Sequence, residues 1–198
     1  TLTTLLLCVS FVLIAQERPF WKDIESFKKE DSVKAPPKNA IVFVGSSSFR
    51  MWEGIDKYFP NHVIINRGFG GSSLPHVIDY ADEIIIPYKP KQVVVYCGEN
   101  DFMNDTVTSQ TVVDRFVQLF NLLRKEIPRA EIVFVSMKPS PSRLRLMNEM
   151  AAANAAIQNF LKTKPRTAFV NIWDDMLTED GEPRKELFLK DMLHMNAD

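Results

Sequence analysis

The sequence has few cysteines, few histidines and no excess of either charge. Its 198 residues include two cysteines, Cys8 and Cys97. Cys8 lies in an apolar leader, so removal of that leader leaves no disulfide within one chain. Cys97 closes a β-branched run and reads as a small buried hydrophobe. Neither cysteine has a ligand-like spacing, and two of the three histidines are poorly placed for ligation. No metal and no cofactor is therefore expected. Twenty-four basic residues against 25 acidic ones give a formal net charge of -1. That argues against a general nucleic-acid binder, which needs surplus Lys and Arg to displace counterions. The sequence also lacks internal repeats, low-complexity segments and long runs of like charge.

No apolar run is long enough to cross a bilayer. The run at Leu5–Ala15 is too short and suits the hydrophobic stretch of a secretory signal, with Ala15 before a cut at Gln16. No initiator Met or basic segment precedes it, so the sequence is expected to begin inside that signal. Residues 1–15 are read as a signal remnant and the protein as secreted or periplasmic. It meets a membrane only if the leader stays uncleaved.

What remains is an ordinary globular composition, 45% hydrophobic and 25% charged, sized for one domain. Residues 16–38 read as an amino-terminal arm. Phe20, Trp21, Ile24 and Phe27 recur at helical spacing, and "APPK" at Ala35–Lys38 stops the helix. From residue 39 apolar β-branched runs alternate with helical patterns. The runs fall at Ile41–Val44, Val63–Ile65, Val93–Tyr96, Ile132–Val135 and Ala168–Ile172. The helical stretches are Leu74–Tyr88, Val107–Ile127 and Arg143–Lys162. Unbroken apolar strands between helices predict a five-stranded parallel sheet covered on both faces. The fold class is thus three-layer α/β/α, doubly wound and flavodoxin-like.

Such folds bind ligands beyond the carboxyl ends of the strands. The segments expected there are Gly45-Ser46-Ser47-Ser48, "NRGFGGS" at Asn66–Ser72 and "GEND" at Gly98–Asp101. A serine in this place is either a nucleophile or part of a loop that holds phosphate on backbone N–H groups. A nucleophile needs a base, and the base needs an orienting group. His62 precedes a strand, at the wrong edge of the sheet. His76, in the first turn after the glycine loop, is a candidate substrate contact. His194 follows Asp191 by three residues, so a carboxylate can hold one ring nitrogen and leave the other free.

Taken together these blocks resemble the SGNH (GDSL-type) hydrolase superfamily. Its four marker residues map onto Ser47, Gly71, Asn100 and His194, with Asp191 as third member of a triad; the similarity runs from Ile41 to the end. The resemblance implies that Ser47 attacks an ester carbonyl, His194 moves the proton and Asp191 orients the ring. The N–H groups of Ser47 and Gly71 and the side chain of Asn100 would form the oxyanion hole. It further implies a small-molecule or glycan acyl ester as substrate, acetyl above all. Transfer of the acyl group to a sugar hydroxyl uses the same triad, and a phosphate- or flavin-binding module is the alternative from another class.

Two departures stand out. Ser46 replaces the family's usual Asp before the nucleophile, so any bracing of the loop falls to Ser46 or another group. The family normally continues through a final helix, which is expected beyond Asp198. Glu99 and Arg143, the latter in "KPSPSR" at Lys138–Arg143, are candidate substrate contacts. Phe49, Trp52, Phe69 and Phe102 are expected in the core rather than in the cleft.

Overall fold

The computed structural model of the protein describes residues 18–197. The signal reading of residues 1–15, and Cys8 with it, lies outside the described residues. Five strands form one sheet: β1 (Ile41–Gly45), β2 (Ile64–Gly68), β3 (Gln92–Tyr96), β4 (Glu131–Val135) and β5 (Thr167–Val170). All pairings are parallel, in the order β2-β1-β3-β4-β5. The central strands β1, β3 and β4 are mostly apolar because both of their faces are covered. Val42, Val44, Val93, Val95, Ile132 and Phe134 face one core. Ile41, Phe43, Val94, Tyr96 and Val133 face the other.

The first face carries most of the helices: α1 (Trp21–Val33), then, after the four-residue α2 (Ser47–Arg50), α3 (Leu74–Asp79), α4 (Ala81–Ile84), α5 (Ser109–Glu126) and α6 (Met147–Lys162). α5 shows what holds such a helix. Thr108 caps it by accepting from the Thr111 N–H, a contribution of about 1 kcal/mol. It also buries Val112, Phe116, Leu119, Phe120 and Leu123, each contributing roughly 1.5–3 kcal/mol. Packing therefore outweighs capping. The second face is thinner. Phe49 of α2, Ile55 of a short 3₁₀ turn, Trp52 and Phe59 cover it.

Two helical stretches differ from the sequence pattern. Residues 74–88 break into α3, α4 and a 3₁₀ turn at Ile86–Tyr88, because Tyr80 leaves the helical region and Pro87 has no N–H to continue the ladder. The stretch from Arg143 begins as a 3₁₀ segment, Pro141–Leu146, in which Arg143 itself is non-helical (φ -123°, ψ 27°). α6 starts only at Met147.

The winding reverses between β1 and β3, the two strands next to each other at the centre of the order. Gly45 and Tyr96 stand level there. Gly45 has φ +136°, and a Cβ on it would lie 2.0 Å from the Tyr96 carbonyl oxygen. Only glycine lets β1 end this close to β3. Gly45→Ala should add strain of order 1–3 kcal/mol before the steric clash is counted. At about 2–4 °C per kcal/mol for a chain of this size, the melting temperature should fall by roughly 5 °C or more. An unchanged melting curve would show that the strand end does not need glycine.

Candidate active site

Three loops leave the carboxyl ends of β1, β2 and β3, and backbone bonds tie them together. The Ser46 N–H donates to the Tyr96 carbonyl at 3.0 Å, and the Phe69 N–H donates to the Gly45 carbonyl at 2.9 Å. The Ser72 hydroxyl also donates to the Gly45 carbonyl, at 2.9 Å. The Asn100 Nδ2 donates to the Ser72 carbonyl at 2.9 Å. Ser72 is fully buried and links the first loop to the third. In sequence nothing separates it from Ser73; only this geometry gives it a role.

Ser47 is the first residue of α2. As the first residue of a helix, it has no carbonyl partner for its N–H within the helix ladder. Its Oγ lies 2.8 Å from His194 Nε2, although the two residues are 147 apart in sequence. His194 Nδ1 lies 2.7 Å from Asp191 Oδ2. The other Asp191 oxygen accepts the N–H groups of Leu193 at 2.9 Å and His194 at 3.0 Å. Asp191 and His194 thus share a tight turn, not a helix. The turn is fixed to the chain before it by the Leu189 N–H, which donates to the His194 carbonyl at 2.7 Å. The hydrogen bond from His194 and the two backbone N–H groups hold the Asp191 carboxyl well below the usual carboxylate range. This chain of contacts can take a proton from a serine hydroxyl and keep the resulting imidazolium beside a carboxylate.

Gly71 is exposed, with φ +79°. A left-handed backbone without a side chain leaves its N–H open to a ligand. Asn100 is half-buried, and its Oδ1 accepts from Arg143 Nη2 at 2.7 Å. One of the two Nδ2 protons is given to Ser72, which leaves the other for a ligand.

The remaining candidates point elsewhere. His76 completes a capping box at the start of α3: its Nδ1 accepts the Ser73 N–H at 3.1 Å and lies 2.8 Å from the Ser73 hydroxyl. Burial lowers its pKa. Glu99 and Arg143 are both buried and meet at 3.4 Å, so neither offers an open charge to a substrate. Burial by itself would raise the Glu99 carboxyl, yet Lys138 and Arg143 beside it pull it below its ordinary value. Phe49, Phe69 and Phe102 are buried in the cores, and Trp52 packs partly buried against Phe43 and Phe49. Cys97 is buried and its pKa is raised by that burial. Among the described residues no group of three or more His, Cys, Asp or Glu is placed to hold a metal ion.

Comparison with known proteins agrees with this frame. The sequence profile of the GDSL-like lipase/acylhydrolase family matches residues 41–198. Platelet-activating factor acetylhydrolase IB subunit alpha2 of Homo sapiens is 27% identical over 142 residues, 68% of this chain and 58% of that protein. The chain thus spans under two thirds of that relative's length. A solved GDSL-like lipase from Bacteroides thetaiotaomicron superposes with a TM-score of 0.74 at 20% identity, over 88% of this chain and 89% of that one. A catalytic mutant of an acetylxylan esterase from Geobacillus stearothermophilus superposes with a TM-score of 0.63 at 13% identity, over 82% and 89%. These two likenesses concern the fold.

The depressed Asp191 pKa has a definite sign. The carboxylate and the hydrogen bonds it accepts are complete above about pH 4 and are lost only as pH falls through the lower folded value. In a carbon-detected NMR titration the Asp191 carboxyl should therefore reach its midpoint below the ordinary aspartate value of about 3.9. A midpoint at or above about 3.9 would mean that Asp191 titrates in the ordinary range.

Proposed function

We propose that this chain, which belongs to the GDSL-like lipase/acylhydrolase family and hydrolyses ester bonds, works as a secreted serine esterase on small acyl esters, acetyl above all. The observation that carries this reading is the hydrogen-bonded run from Ser47 Oγ through His194 to Asp191, at 2.8 and 2.7 Å. In this reading His194 Nε2 takes the Ser47 proton as Oγ attacks the ester carbonyl. The tetrahedral oxyanion meets the Ser47 N–H, the Gly71 N–H and Asn100 Nδ2. His194 then protonates the leaving alcohol. A water molecule, activated by the same imidazole, releases the acid from the acyl-enzyme.

Removal of one oxyanion donor typically costs ~2.7–4 kcal/mol of transition-state stabilisation. Donors in this class of site act because they stand in place before charge develops. The bonds that tie the three loops supply that fixity. The phosphate-cradle alternative gives no reason for the contact between Ser47 and His194. Secretion rests on the apolar leader, and the acetyl group is supported by the name of the curated relative.

For the alcohol, a carbohydrate is the first candidate. A second reading, an apolar alcohol, is favoured by three exposed side chains: Met103, Leu144 and Met192, 49%, 49% and 37% accessible. They sit in the segments that carry Asn100, Arg143 and His194.

Purified protein should hydrolyse p-nitrophenyl acetate faster than the decanoate. A fluorophosphonate should label it once, and Ser47→Ala should lose both activities while keeping its melting temperature. Full labelling of Ser47→Ala would refute the assignment. A panel of acetylated xylan and an acetylated glycerophospholipid then decides the alcohol: preference for the first supports the glycan, preference for the second the apolar rim.

A further inference from the structure

Behind Asn100 lies a set of charged groups that the ester chemistry does not use directly. Glu99, Lys138 and Arg143 are 5%, 1% and 8% exposed. Lys138 Nζ reaches both Glu99 oxygens, at 3.3 and 3.2 Å, and the Tyr96 hydroxyl at 3.0 Å. The Tyr96 hydroxyl itself donates to Glu99, and the Lys138 N–H adds a bond to the same carboxylate at 3.3 Å. Arg143 divides its guanidinium between Glu99, at 3.4 Å, and Asn100 Oδ1, at 2.7 Å. Burying three charges is costly unless each is paired and bonded, and here each is.

The loop that carries Lys138 and Arg143 touches three parts of the site. Lys138 Nζ lies 3.5 Å from the hydroxyl of Ser48, next to the proposed nucleophile. The Ser142 N–H donates to the Met192 carbonyl at 3.0 Å, inside the turn that presents His194. Arg143 holds Asn100.

Resting on the esterase reading above, we propose that Arg143 is a positioning residue that locks the Asn100 amide with its Nδ2 toward the oxyanion, with Glu99 as its anchor. The reason is the symmetry of an amide. Oxygen and nitrogen are nearly the same size, and a flipped Asn would aim a carbonyl oxygen at developing negative charge. In the observed orientation Oδ1 accepts from Arg143 and Nδ2 donates to the Ser72 carbonyl. A flip sets NH₂ against the guanidinium and oxygen against the Ser72 carbonyl, so both contacts become repulsive. The guanidinium also draws electron density toward Oδ1, which makes the remaining N–H a stronger donor. Two cations against one anion leave the buried set with a net positive charge behind the oxyanion.

The experiment is a double-mutant cycle between Arg143 and Asn100 on p-nitrophenyl acetate, with melting curves for every variant. Arg143→Met should lower kcat roughly 10–100-fold, part of the roughly 10²–10³-fold loss expected for Asn100→Ala, with KM within about twofold. In the Asn100→Ala background Arg143→Met should have no further effect, because its target is gone. Arg143→Lys keeps the charge beside Glu99, loses the fork, and should show the same non-additive pattern if Arg143→Met does not fold. Losses that multiply in the double variant, or an Arg143→Lys enzyme with wild-type kcat, overturn the positioning role. A single Asn100→Ala variant with wild-type turnover would instead remove Asn100 from the oxyanion hole, which is a failure of the esterase reading itself.

Discussion

The contact between Ser47 Oγ and His194 Nε2 is the constraint around which the site is organised. Its partners are 147 residues apart, and it closes at 2.8 Å. Neither residue is placed by its own neighbours alone. Ser47 is held because β1 ends against β3 at Gly45 and turns at once into α2. His194 is held because Asp191 folds the chain into a turn that a backbone bond ties to Leu189 and another to the segment at Ser142. A shift of about 1 Å in either support would open the contact, and misplacement on that scale can cost roughly a hundredfold in rate. The parallel sheet matters to function because it makes that support stiff.

The polar groups around this contact divide into exposed and buried sets with different work. Asp191 is half exposed and gains its low pKa from hydrogen bonds rather than from burial. Glu99, Lys138 and Arg143 lie in the interior and hold one another. In the proposed reading His194 exchanges protons with substrate and water, and Asp191 only orients it. In the proposed reading the buried set fixes Asn100, one of the groups that would meet the oxyanion. Its contacts reach the first and third loops, through Ser48 and Asn100, and, by way of the neighbouring Ser142, the histidine turn.

Much of the fold is legible because the central strands β1, β3 and β4 are largely buried on both faces and so read as apolar runs. The apolar run Val63–Ile65 marks only the start of β2, which is Ile64–Gly68, because Asn66 and Arg67 look like loop residues. Arg67 is in fact buried, paired with Asp31 and Glu30 of α1 and bonded to the Tyr88 hydroxyl. The break at Tyr80 was hidden, since hydrophobic spacing continues through it. At the site, the three loops were legible as small polar segments after strands. The inward turn of Glu99 and Arg143 was not. Charged loop residues read as solvated by default, and only partners 39 and 44 residues away reveal otherwise. The Ser46 hydroxyl was named first to brace the nucleophile loop. Contacts of that loop run instead through the Ser46 N–H to Tyr96 and through the neighbouring Ser48 to Lys138.

The central claim is that Ser47 becomes covalently acylated. Rapid acid quench of the protein during turnover of p-nitrophenyl acetate, followed by peptide mass spectrometry, tests it without relying on any variant. The account predicts one acetyl group on the peptide from β1 into α2, localised to Ser47 by fragmentation. An acetyl group on Ser46, on Ser48 or on His194, or steady turnover with no acylated peptide at any quench time, would contradict it.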